Sequence, residues 1–123
     1  MYIDNFYFVV ENIKKSVAFY SELFEKKPAT VTGDRWADWK TENGQVYFGI
    51  ISKEASGSDL RLGNNGVLGL YTNDLNKAYE KCLKLNVKIL YEPISIPNST
   101  DNYRCFAIED IDGNKIEISY YDK

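Results

Sequence analysis

The 123-residue chain has no histidine, so no imidazole is available to ligate a metal. Its two cysteines, Cys82 and Cys105, make no metal-spacing motif and are read as reduced thiols rather than a disulfide. No apolar run approaches the ~20 residues that span a bilayer, which excludes a membrane helix. The start, Met1-Tyr2-Ile3-Asp4, has no basic region followed by an apolar one, so the expectation is a cytoplasmic protein without a signal peptide. Basic clusters are also missing. The fifteen Lys and Arg are scattered, with Lys14-Lys15 and Lys26-Lys27 the only doublets, and the net charge is −3. That balance argues against nucleic acid, whose phosphates need clustered cations.

What is present is an ordinary globular composition, 44% hydrophobic and 27% charged, sized for one domain or for two small modules sharing a core. Aromatics are abundant, with ten Tyr among them. Two readings stay open for them: cross-strand packing, and a cavity that stacks flat ligands.

Hydrophobic periodicity divides the chain into two similar halves. Tyr2 to Val10 alternates as a strand does. Asn12 is a good N-cap, and Ile13, Val17, Tyr20, Leu23 and Phe24 follow at helical spacing, with Pro28 expected to end that element. Strands are predicted around Ala29–Thr32, Arg35–Lys40 and Val46–Ile51, the last two joined through Asn43-Gly44. The second half repeats this plan: a strand over Val67–Tyr71, an N-cap at Asp74, a helix through Leu75, Ala78, Tyr79, Cys82 and Leu85, and a left-handed C-terminal residue at Asn86. Strands follow at Val87–Tyr91, Tyr103–Glu109 and Lys115–Tyr120. The turn Asp112-Gly113-Asn114 matches Asn43-Gly44-Gln45. The organisation is therefore α+β, with a βαβββ module over 1–52, a polar linker over 53–65 and a second βαβββ module over 66–123.

Three stretches carry a resemblance that spans essentially the whole chain: Asn12-Ile13-Lys14-Lys15-Ser16-Val17-Ala18-Phe19-Tyr20, Asn73-Asp74-Leu75-Asn76-Lys77-Ala78-Tyr79, and Asp110-Ile111-Asp112-Gly113-Asn114-Lys115-Ile116-Glu117. They are similar to the two helix starts and the closing turn and strand of the vicinal oxygen chelate superfamily, which includes glyoxalase I, extradiol dioxygenases and the fosfomycin- and bleomycin-resistance proteins. A calcium loop is the rival reading of the Asp110 stretch, but an EF-hand needs flanking helices and a strand follows here.

The resemblance implies a curved mixed sheet, a cup, formed by the paired modules. Strand parity then places Asn5, Tyr7, Trp36, Asp38, Phe48, Val67, Tyr71, Tyr103, Cys105 and Glu117 on the inner wall as ligand-binding residues, with Trp39, Phe106 and Ile108 behind it. Metal-using relatives place four ligands on four strands. The matching positions here are Asn5, Phe48, Val67 and Glu117, of which Glu117 alone is a strong ligand. The implied reading is a small-molecule-binding protein with neither metal nor cofactor, closest in character to metal-free bleomycin-resistance proteins. Such a protein would hold a cationic aromatic compound, an antibiotic for example, between π-faces and carboxylates. The alternatives are a lyase or isomerase with Glu117 as general base, an oxygen-only metal site using Asp4 or Asp38, and a regulatory subunit. Glu117 has a structural alternative too, bonded to Arg35 or Arg104. A homodimer is expected, because module edges need covering.

Overall fold

A computed structural model describes residues 1–57 and 59–123. The chain divides into two compact units, Met1–Asn65 and Gly66–Lys123.

Unit 1 runs β1 (Asn5–Val10), α1 (Ile13–Phe24), β2 (Thr30–Thr32), β3 (Trp36–Lys40), β4 (Tyr47–Ser52) and α2 (Lys53–Ser56). Its sheet has the order β1-β4-β3-β2, with β1 and β4 parallel and the other pairs antiparallel. Asn12 caps α1 as expected, its side chain accepting the Lys15 backbone N–H. The helix stops before Pro28, where Glu25 turns left-handed and donates its N–H to the carbonyls of Glu22 and Ser21. The stretch expected to be a plain linker opens with the single turn α2, capped by Ser52. Residue 58 of that linker lies outside the described residues.

Unit 2 repeats the plan with β5 (Val67–Tyr71), α3 (Leu75–Lys84), β6 (Lys88–Ser95), β7 (Arg104–Glu109) and β8 (Lys115–Tyr120), in the order β5-β8-β7-β6. Asp74 caps α3 through the Lys77 N–H, and Asn86 sits at φ 56° just past its end. Strand β6 runs four residues beyond the expected Tyr91, through Pro93. A proline is tolerated there because β6 is an edge strand with register shifts on either side of Tyr91.

Each helix covers one face of its own sheet. Behind the first, Phe8, Ile50, Ala37 and Trp39 are buried with Ile13 and Tyr20 of α1. Behind the second, Phe106, Ile108, Ile116 and Ile118 are buried with Leu75 and Cys82 of α3, and Tyr79 stands edge-on to Phe106 at 5.1 Å. The opposite face of each sheet, its front face, carries the polar and tyrosine-rich residues.

Candidate functional site

On the front face of unit 1, Asn5 and Tyr7 come from β1, Trp36 and Asp38 from β3, and Gly49 from β4. Register sets Gly49 between Tyr7 and Asp38. The Trp36 indole lies across Gly49 so closely that a Cβ there would come within 2.4 Å of the ring. Glycine is therefore required at position 49 for this placement. The indole N–H donates to Asp38 Oδ2 at 2.9 Å, and the Tyr7 ring stands edge-on to the indole at 5.4 Å. Asp38 is only 9% exposed, and its Oδ1 is buried with no hydrogen-bond donor among the described residues. A buried carboxylate oxygen without a donor is costly, so a cation or N–H group brought to this atom would be favourable.

Phe48 is a correction. It does not face the front but packs behind the sheet, 5.0 Å from Tyr20, 5.8 Å from Phe24 and 5.6 Å from Phe8. The residue that takes the place of Glu117 in the first module is Gly49, since Tyr7 pairs with Gly49 as Gly69 pairs with Glu117. The reason lies in the turns. The first is closed by Thr41 N–H to the Val46 carbonyl and the second by Asp110 N–H to the Asn114 carbonyl, so the first is one residue longer. A one-residue offset exchanges the two faces of a strand.

On the front face of unit 2, Val67, Gly69 and Tyr71 come from β5, Lys115, Glu117 and Ser119 from β8, and Cys105 and Ala107 from β7, with Tyr103 just before it. The Tyr103 hydroxyl donates to Glu117 Oε1 at 2.5 Å, and that bond holds the phenol proton above its ordinary range. Tyrosine, rather than Arg35 or Arg104, is thus the partner of Glu117, while Arg104 lies over the Tyr120 ring. Burial pushes the Cys105 thiol up, with Tyr91 drawing it part of the way back. Burial, with the 3.8 Å contact to Cys105, pushes Tyr91 up to about 12. Cys105 is accordingly a protonated, inert neighbour of the site. A Cβ built on Gly69 would meet nothing within 4 Å, so the strand position paired with Glu117 faces open space.

The structure therefore brings Tyr7, Trp36 and Asp38 together in unit 1, and Tyr71, Tyr103, Cys105 and Glu117 onto one face in unit 2. Asn5 and Val67 lie on those faces at exposed positions. Sequence reasoning missed Gly49, Tyr91 and Tyr121. The glycine had a signal, since a glycine inside a strand marks a close approach or an opening. Tyr121 follows the last strand and had none.

The donor set does not fit a catalytic divalent metal, which normally takes about three protein ligands. Among the described residues, no three His, Cys, Asp or Glu side chains gather in a ligating group, with Asp4 or Asp38 or otherwise. The Asn5 amide donates to Asp4, Val67 has no donor atom, Phe48 faces the other way, and Glu117 is engaged by Tyr103.

Of two recesses among the described residues, the larger lies away from these side chains and the smaller is lined in part by Tyr103. One is a cleft of about 970 Å³ in unit 1 between the start of α1, the β2–β3 turn and α2; the other, of about 200 Å³, lies beside Ser99 and Tyr103 in unit 2. In the larger one, the Asn12 and Ser52 side chains are used in capping helices.

No helix among the described residues is long and apolar enough to cross a membrane. No curated protein matches the chain. Solved structures share its fold at low identity. A glyoxalase/bleomycin resistance protein/dioxygenase superfamily member from Sphaerobacter thermophilus has TM-score 0.78 and 17% identity, over 98% of this chain and 97% of that one. A lactoylglutathione lyase from Agrobacterium tumefaciens has TM-score 0.78 and 17% identity, over 97% and 92%. An integron cassette protein from V. cholerae has TM-score 0.77 and 21% identity, over 99% and 96%. The family model described as Glyoxalase/Bleomycin resistance protein/Dioxygenase superfamily matches residues 2–118, and with the repeated βαβββ plan this establishes that the chain belongs to that superfamily.

Proposed function

We propose that this chain is a small-molecule-binding protein that holds a cationic aromatic compound, an antibiotic for example, without a metal, and so keeps it from its target. The observation that carries the reading is Asp38: one carboxylate oxygen is fixed by Trp36 and the other is buried without a donor among the described residues, beside two aromatic rings. A guest bearing a cationic nitrogen supplies the missing donor, and its ring gains from stacking. The test is isothermal titration and thermal shift with a panel of cationic aromatic compounds, glycopeptide antibiotics included. Saturable heat with at least one compound is expected, weakened at least about tenfold in Asp38→Asn. Absence of heat and of thermal shift across the panel overturns the reading.

A second reading rests on the Tyr103–Glu117 pair. A carboxylate fixed by a phenol beside open space is placed to take a proton from a substrate carbon, as in a lyase or isomerase. Glu117→Gln separates the two readings, because loss of turnover with binding intact favours the enzyme and equal loss of both favours the binding protein.

A further inference from the structure

We propose that Tyr71 and Tyr121 form a second cation-recognition site, in unit 2, that takes an organic ammonium, and that the Lys123 side chain is its resident occupant. Lys123 Nζ lies 4.3 Å from the centre of the Tyr71 ring and 5.7 Å from that of Tyr121. The two rings meet at 70° with centroids 5.1 Å apart, so they make two walls of a corner. Tyr121 is held in turn by Tyr103, stacked on it at 5.7 Å and 7°, and Tyr103 is fixed by Glu117. The segment carrying Lys123 is fastened one residue earlier. Asp122 donates its N–H to the Asp101 carbonyl and accepts from the Asn102 amide and the Tyr120 hydroxyl.

The chemistry of the corner favours a methylated ammonium over Lys123 itself. Lys123 Nζ touches ring faces and has no hydrogen-bond or ion-pair partner among the described residues. A primary ammonium gives up strongly held water to sit on a ring and gains no acceptor in exchange. A methylated ammonium carries the same charge with less water to lose and needs no acceptor, which is why aromatic cages select it. Lys123 is thus a weak internal competitor, tethered where a stronger cation fits. Asp38 belongs to unit 1 and is not one of the residues that form this corner.

The test uses the full chain and tetramethylammonium chloride, with sodium chloride at equal ionic strength as control, followed through the Tyr71 and Tyr121 ring signals by NMR. Saturable shifts confined to these rings and to Lys123 are expected. Lys123→Ala should tighten binding about threefold by removing the competitor. Tyr71→Phe should retain the response and Tyr71→Leu should lose it, with Asp38→Asn leaving it unchanged. The assignment is overturned if sodium chloride produces the same shifts, if Lys123→Ala binds no more tightly than the parent, or if Asp38→Asn abolishes the response. Its failure leaves the Asp38 reading standing, because that reading is measured by the cationic aromatic panel and by Asp38→Asn.

Discussion

At Asp38, two oxygens of one carboxylate have different surroundings: an indole N–H fixes one and the other is buried without a donor among the described residues. The sequence placed Asp38 and Trp36 on one face by parity alone. It did not reveal that Gly49 makes room for the indole, since that contact joins strands through register. The cysteines show the same scale at work. Burial raises the Cys82 thiol from 9.0 to about 11, partly opposed by Lys81. The unfolded chain therefore loses this proton first as pH rises. The contribution to stability is whole below pH 9 and falls by about 1.4 kcal/mol per pH unit toward pH 11. Denaturant unfolding at pH 8, 9, 10 and 11 should show that fall, with a shallower one in Cys82→Ala. Stability that stays flat from pH 9 to 11 would contradict the buried thiol.

Elements were legible wherever their signals are local. Asn12 and Asp74 cap the helices they appeared to cap, β5 and β8 have the bounds expected of them, and Asn86 takes the left-handed conformation. The misreadings have physical causes that lie outside the local pattern. Phe48 was placed on the wrong face because the two hairpin turns look alike yet differ by one residue, and only the paired strands reveal it. Strand β6 runs past its expected end at Tyr91 because an edge strand accommodates Pro93. The position of Phe48 makes a prediction for its element. Surrounded by Phe8, Tyr20, Phe24 and Trp39, it is a core ring of unit 1. Phe48→Ala should cost about 3–5 kcal/mol in denaturant unfolding. Weakened ligand binding without loss of stability would instead put the ring on the front face.

For the whole molecule, the repeat was readable from two helix stripes and two turns, and the family followed from the same residues. The side chains that return to a face from outside the strands, as Tyr121 does, were not legible, because they carry no periodic signal. The edge strands β1 and β5 expose sizeable apolar residues, Tyr7 at 41% and Val67 at 49% among them. We propose that a second copy of the chain covers such surface, and sedimentation at micromolar concentration should give a dimer; a monomer would contradict it. Recognition through aromatic faces and carboxylates rather than through coordination can be checked by isothermal titration of a cationic aromatic ligand into protein dialysed against EDTA, then into protein resupplied with zinc, nickel or manganese. The same dissociation constant is expected in every sample, whereas binding that appears only when a metal is returned would show that coordination holds the guest.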